Sequence, residues 1–108
     1  MSYNIETIPT FDKQFKRLSK KYSSLKNDLL IIIESLSENP TLGIDLGNGF
    51  YKIRIAIKSK NKGKSGGGRL VTFVKISNET IYLSLIFDKS EKSTLSDSEL
   101  DLIFKTIP

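Results

Sequence analysis

Neither cysteine nor histidine occurs anywhere in the 108 residues. Without cysteine there is no disulfide framework, no thiolate metal site and no thiol nucleophile. Without histidine the commonest general base and the commonest metal ligand are both missing. A zinc site would need carboxylates alone. Any catalysis must move protons with Lys, Glu, Asp or Tyr, or work mainly by positioning and electrostatics. Tryptophan is absent too, so the core is left to Ile, Leu, Val, Phe and Tyr. Long apolar runs are also lacking. The longest, Leu29 to Ile33, is far too short to span a bilayer, and Met1-Ser2-Tyr3-Asn4 opens without the apolar stretch of a secretory signal. A cytoplasmic protein without membrane contact is expected, needing no cofactor.

What is present describes an ordinary globular chain, 38% apolar and 27% charged, of a length suited to one core. A single domain over residues 1–108 is expected. Seventeen Lys and Arg stand against twelve Asp and Glu, a net charge of +5 and an isoelectric point near 9.5. That excess favours a polyanionic partner such as nucleic acid.

The patterning predicts an α+β domain. Tyr3 to Ile8 alternates weakly and ends at Pro9, predicting a short first strand. Thr10 can cap a helix with the apolar stripe Phe11, Phe15, Leu18 and Tyr22, its other face carrying Lys13, Lys16, Arg17, Lys20 and Lys21. Ser23 and Ser24 punctuate the chain before a second helix through Leu25, Leu29, Ile32, Ile33 and Leu36, which should stop before Pro40. Gly43, Gly47 and Gly49 mark turns. Phe50 to Lys58 reads as a strand, with Tyr51, Ile53, Ile55 and Ile57 on one face and Lys52, Arg54 and Lys58 on the other. Arg69 to Ile76 and Thr80 to Phe87 follow as strands around a Ser77-Asn78-Glu79 turn. Ser96-Asp97-Ser98-Glu99 has the spacing of a capping box ahead of a C-terminal helix. The order is β-α-α-β-β-β-α, an antiparallel meander with an αα-hairpin packed on it.

Three clusters could carry chemistry. Lys52, Arg54 and Lys58 share one strand face at about 7 Å per two-residue step, near the spacing of successive phosphates. Edge strands also use such charge merely to avoid aggregation, but a mid-strand Arg suits bidentate phosphate contact. Lys60 to Arg69 (Lys-Asn-Lys-Gly-Lys-Ser-Gly-Gly-Gly-Arg) is a Gly/Lys loop with Lys62 and Lys64 at its centre. It either lets backbone N–H groups approach an anion or is a flexible hairpin tip. It is not a P-loop, since Lys58 stands where the first Gly belongs and the run enters a strand. Last comes Phe87-Asp88-Lys89-Ser90-Glu91-Lys92. The meander should bring its start beside Arg69, so that an aromatic, a carboxylate and several cations line one concavity. For Ser90 to Lys92 a solvated turn is the simpler reading. The helical lysines read as a solvated face.

Taken together, Phe15-Lys16-Arg17-Leu18-Ser19-Lys20-Lys21-Tyr22, Tyr51-Lys52-Ile53-Arg54, Gly63-Lys64-Ser65-Gly66-Gly67-Gly68-Arg69 and Asp88-Lys89-Ser90-Glu91 resemble the RelE/ParE superfamily of type II toxin–antitoxin toxins, in particular its HigB-like members. The Gly-Lys-Ser-Gly-Gly-x-Arg stretch is the most specific part. The resemblance implies a ribosome-dependent endoribonuclease that cuts mRNA in the ribosomal A site, inhibits translation, touches rRNA and is neutralised by a cognate antitoxin. A homodimer stays open. It implies metal-independent chemistry, in which the RNA 2′-hydroxyl attacks the adjacent phosphorus. By position, Arg54, Lys64, Arg69 and Lys89 would form the catalytic set, with Arg69 as phosphate clamp. Lys52, Lys58, Lys62, Phe87 and Lys92 would bind RNA. The Tyr that some RelE-like toxins place beyond the last strand is missing, for Thr94-Leu95-Ser96 stands there. That leaves Glu91, Asp88 or a deprotonated lysine as proton acceptor. Two alternatives follow: a ParE-like poison of DNA gyrase, and a catalytically silent antitoxin-binding relative.

Overall fold

A computed structural model of the chain describes residues 3–60 and 66–108. Among the described residues, five strands and three α-helices follow one another: β1 (Asn4–Thr7), α1 (Pro9–Lys21), α2 (Leu25–Glu38), β2 (Ile44–Gly47), β3 (Phe50–Ile55), β4 (Gly68–Lys75), β5 (Thr80–Asp88) and α3 (Asp97–Phe104). They form one sheet of order β1-β5-β4-β3-β2. The predicted antiparallel meander is β3-β4-β5, and the predicted helical hairpin is α1-α2.

The sheet departs from the predicted one in two ways. β1 pairs with β5 in parallel, Asn4 opposite Thr80 through Thr7 opposite Leu83, so the sheet is mixed. An unpredicted strand, β2, pairs antiparallel with β3. Its four residues are too short and too exposed for an alternating pattern to show. Gly47, Asn48 and Gly49 all have positive φ (89°, 55° and 89°), the conformation a tight hairpin between twisted strands needs. Gly43 is required more strictly. It has φ of 103°, and a Cβ there would lie 2.5 Å from the Lys52 carbonyl oxygen.

Helix termini also differ from expectation in instructive ways. Pro9 does not stop a strand; it occupies the first turn of α1, where its missing N–H costs nothing. Thr10 therefore lies inside the helix. Ser24 stands at the N-cap of α2, but its side chain makes no bond to that helix's backbone. Its hydroxyl donates to Asp28 Oδ2 at 2.7 Å and accepts from the Ser59 N–H at 2.8 Å. The Lys58 N–H donates to the same Asp28 oxygen at 3.1 Å. These bonds take the chain off the sheet. Instead of running to Lys58, β3 ends at Ile55, and Lys58–Lys60 form a 3-10 turn held by the start of α2.

α1 and α2 cover one face, with Phe11, Leu18, Leu25, Leu29 and Leu36 packed on Ile53, Ile55, Leu70, Ile81, Leu83 and Ile86. Burying each such side chain contributes about 1.5–3 kcal/mol. α3 covers part of the other face: Phe104 meets Phe73 edge-on at 5.6 Å, and Phe73 packs on Phe50 at 5.1 Å. Its start is the predicted capping box, with Ser96 and Glu99 bonding each other's backbone N–H. No helix among the described residues is long and apolar enough to cross a membrane.

Candidate functional site

Strand parity places Phe50, Lys52 and Arg54 on the face that carries α3. The β3-β4 register sets Phe50 opposite Phe73, Lys52 opposite Val71 and Arg54 opposite Arg69. On the far side Arg69 lies opposite Phe87 of β5. Directly opposed residues of an antiparallel pair hold their Cβ atoms about 5 Å apart, so two guanidinium stems rise side by side. α3 covers the Phe50–Phe73 end of this face, and Lys52, Arg54 and Arg69 lie beyond it.

The two arginines have different surroundings. Arg54 is exposed and Arg69 buried. Arg69 Nη1 donates to the Gly68 carbonyl at 2.9 Å. Burial, then the positive charge of Arg54, lowers the affinity of Arg69 for its proton. A guanidinium stays charged nonetheless. Placing two of them together costs repulsion, which an anion between them would relieve. Among the described residues, the ion pairs involve neither Lys52 nor Arg54. Two cations on one strand face, outside the ion pairs of the described residues, are suited to an incoming phosphate.

The other expected site residues are distributed less evenly. Phe87 shares the face but is buried, so it packs beside Arg69 and offers no open ring for a base. Lys58 leaves the row because β3 ends before it. Lys62 and Lys64 lie outside the described residues. Lys89 is exposed, and its backbone N–H donates to the Gly67 carbonyl at 3.1 Å, so it stands at the Arg69 end of the sheet. Lys92 is engaged elsewhere. Its ammonium pairs with Glu99 of the capping box at 2.5 Å, and it holds that carboxyl below its usual range.

Asp88 does not join Phe87 and Arg69 in one concavity. One residue past Phe87, it points to the opposite face and is fully buried at the end of α1. Tyr22, the C-cap of α1, donates its hydroxyl to Oδ2. Lys60 pairs with Oδ1 at 2.5 Å, and the Ser90 N–H and hydroxyl donate to the same oxygen at 3.0 and 2.8 Å. Burial pushes this carboxyl up, but Lys60, Tyr22 and Ser90 together hold it far below the usual carboxylate range. Glu91 is held low chiefly by Arg17, at 2.9 Å, with Lys21 adding to it. Both carboxylates are thus weak bases tied into structure, which removes them as attractive proton acceptors. Lys60 and Tyr22 were missed as members of this cluster. Tyr22 reads as the last residue of an apolar stripe, and Lys60 as one more lysine in a basic run. The parity of Asp88 against Phe87 was the available signal.

The whole chain can be set beside known proteins. A family model described as the RelE toxin of the RelE/RelB toxin–antitoxin system matches residues 10–107. Among solved structures, the chain is similar to a doubly substituted Escherichia coli RelE toxin in the free state, with a TM-score of 0.59 and 15% identity, covering 98% of this chain and 94% of that one. It is also similar to the isolated E. coli RelE toxin, with a TM-score of 0.54 and 18% identity over 98% of this chain and 100% of that one. At such identities these two likenesses establish a shared fold.

Proposed function

This chain belongs to the RelE toxin family, and from that premise we propose that it is a ribosome-dependent mRNA endoribonuclease, a cytoplasmic inhibitor of translation held in check by a cognate antitoxin. The observation that carries the reading is the Arg54–Arg69 cross-strand pair, flanked by Lys52, with Lys52 and Arg54 in none of the ion pairs among the described residues. In the proposed reaction the 2′-oxygen of the RNA attacks the adjacent phosphorus and the bond to the 5′-oxygen breaks. The phosphorus passes through a five-coordinate state with extra negative charge on its oxygens. Arg69, held by its backbone contact, and the exposed Arg54 are placed to stabilise that charge more than the ground state. Preorganised charge of this kind is the largest lever available to a protein without His or Cys. Lys52 and Lys89 extend the positive field to either side, tracking the backbone.

Arg69→Ala should abolish cleavage while the circular dichroism spectrum is preserved, and Arg54→Ala should slow it. Losing one charge-assisted phosphate contact costs about 1.5–3 kcal/mol, and more in a transition state. Primer extension of mRNA after induction, with and without ongoing translation, reads both effects. Unimpaired cutting by Arg69→Ala would remove the proposed site.

A further inference from the structure

The Arg54–Arg69 rung stands one step from the end of the β3–β4 ladder. The last rung sets Ile55 opposite Gly68, and on the other side of β4 Gly68 lies opposite Asp88. Strand ends open most readily, and here the charge of Arg54 acts against that of Arg69 on the neighbouring rung. This end of the sheet is nonetheless closely packed. A Cβ on Gly68 would lie 3.0 Å from Ile55 Cγ2, 3.1 Å from the Phe87 carbonyl oxygen and 3.3 Å from Ile57 Cδ1.

A buried ion pair crosses the sheet at the same place. Lys60, in the 3-10 turn that follows β3, sends its ammonium to Asp88 Oδ1 at 2.5 Å and to the Ser90 hydroxyl at 3.2 Å. The Lys60 side chain is only 9% exposed and that of Asp88 is fully buried. Since β4 lies between β3 and β5 in the sheet, this contact joins the two flanks of the strand that carries Arg69. Tyr22, at the end of α1, donates to the other Asp88 oxygen and sets the carboxylate from the helix side. For stability alone, well-packed apolar side chains serve as well as a buried ion pair; what the charges can add is a single geometry. We propose that Lys60 is a positioning residue for the phosphate chemistry: its bridge to Asp88 pins the end of β3 to the end of β5. The exposed Arg54 is thereby held at the separation from Arg69 at which both guanidinium groups meet one phosphate. This inference rests on the nuclease reading above. Lys60 itself has no part in binding RNA, because its ammonium lies with Asp88 on the opposite face of the sheet.

The test is a double-mutant cycle in the full chain, with kcat and KM measured separately for cleavage of mRNA on programmed ribosomes. Lys60→Met should lower kcat by about tenfold or more and leave KM near wild type, since alignment in the transition state is lost. Lys60→Arg, which keeps the charge, should recover most of the rate. The salt dependence of single-stranded RNA binding should not change in Lys60→Met, because no phosphate contact is removed; a flatter slope would mean that Lys60 holds RNA directly and would overturn the proposal. The deciding measurement is made in the Arg54→Ala background. There Lys60→Met should cost less than about a further twofold, because the side chain it positions is gone. A second full loss in that background, or an unchanged kcat in Lys60→Met alone, overturns the proposal while leaving the nuclease reading in place. Asp88→Asn, which keeps the shape of the side chain, is the second variant should Lys60→Met fail to fold, and the same non-additivity with Arg54→Ala is expected of it; full additivity counts against the proposal. A wild-type rate in Arg54→Ala itself would instead remove the assignment of Arg54 to the phosphate, and the positioning role with it.

Discussion

At the scale of single residues, the same chemistry meets two different fates a short distance apart. Arg54 and Arg69 are like charges set opposite each other across two strands, and Arg54 enters none of the ion pairs among the described residues. Asp88 is a buried charge with every oxygen bonded, to Tyr22, Lys60 and Ser90. The first arrangement stores repulsion that a ligand can release; the second ties β5, α1 and the Lys58–Lys60 turn into one unit. Breaking one partner of a buried ion pair typically costs about 3–5 kcal/mol, so Lys60→Met should lower the urea midpoint markedly. The pH dependence has a definite sign. Asp88 has a folded-state affinity for protons below that of the unfolded chain. Its stabilisation is therefore present above the unfolded carboxylate range, near pH 4, and is lost as pH falls through that value toward the folded one. Wild type should lose stability steeply below about pH 4, and Asp88→Asn, already less stable at neutral pH, should lose less. Parallel acid limbs in thermal melts would show that the cluster contributes nothing through its charge.

At the scale of elements, what could be read was whatever obeyed a period. α1, α2 and the meander follow from apolar spacing, and the Ser96–Glu99 capping box is found where its spacing put it. β2 was invisible because a four-residue edge strand, exposed along most of its length, has no buried face to impose alternation. β3 ends early because Asp28 and Ser24, some thirty residues before, capture the backbone of Lys58 and Ser59. No local pattern records such a bond. The juxtaposition of Lys52, Arg54 and Arg69 was legible, since strand parity and antiparallel pairing of consecutive strands suffice to bring those residues together. Phe87 was half legible: its face was right, but its burial depends on packing. Lys92 was misread because its partner Glu99 lies on α3, and α3 depends on that start. Ser96→Ala removes the side chain that caps the Glu99 N–H, and should cost about 1 kcal/mol. Hydrogen exchange should then rise first in Asp97–Phe104, while protection of the β4 and β5 amides stays close to wild type.

At the scale of the whole molecule, a net charge of +5 says only that polyanions are attracted; it does not say where they sit. The folded chain sorts its cations into kinds that a composition cannot distinguish. Lys60, Arg17 and Lys92 are spent on Asp88, Glu91 and Glu99. Lys13, Lys16 and Lys20 sit on the outer face of α1, away from the sheet. Lys52, Arg54 and Arg69 share one face. If affinity for single-stranded RNA came from net charge, removing any two cations would weaken it alike. If it comes from the sheet face, the effects should separate by position. Each neutralised phosphate contributes about −0.7 to the slope of log K against log salt, so three engaged cations should give a slope near −2. Lys52→Ala combined with Arg54→Ala should flatten that slope by about 1.4. Lys13→Ala combined with Lys16→Ala, which removes the same charge, should shift affinity slightly and leave the slope almost unchanged. Binding isotherms over a salt series, with ribosomes absent, measure both. Equal flattening by the two pairs would mean that RNA is held by the general field of the molecule, and the cross-strand arginines would then have no special claim on the phosphate.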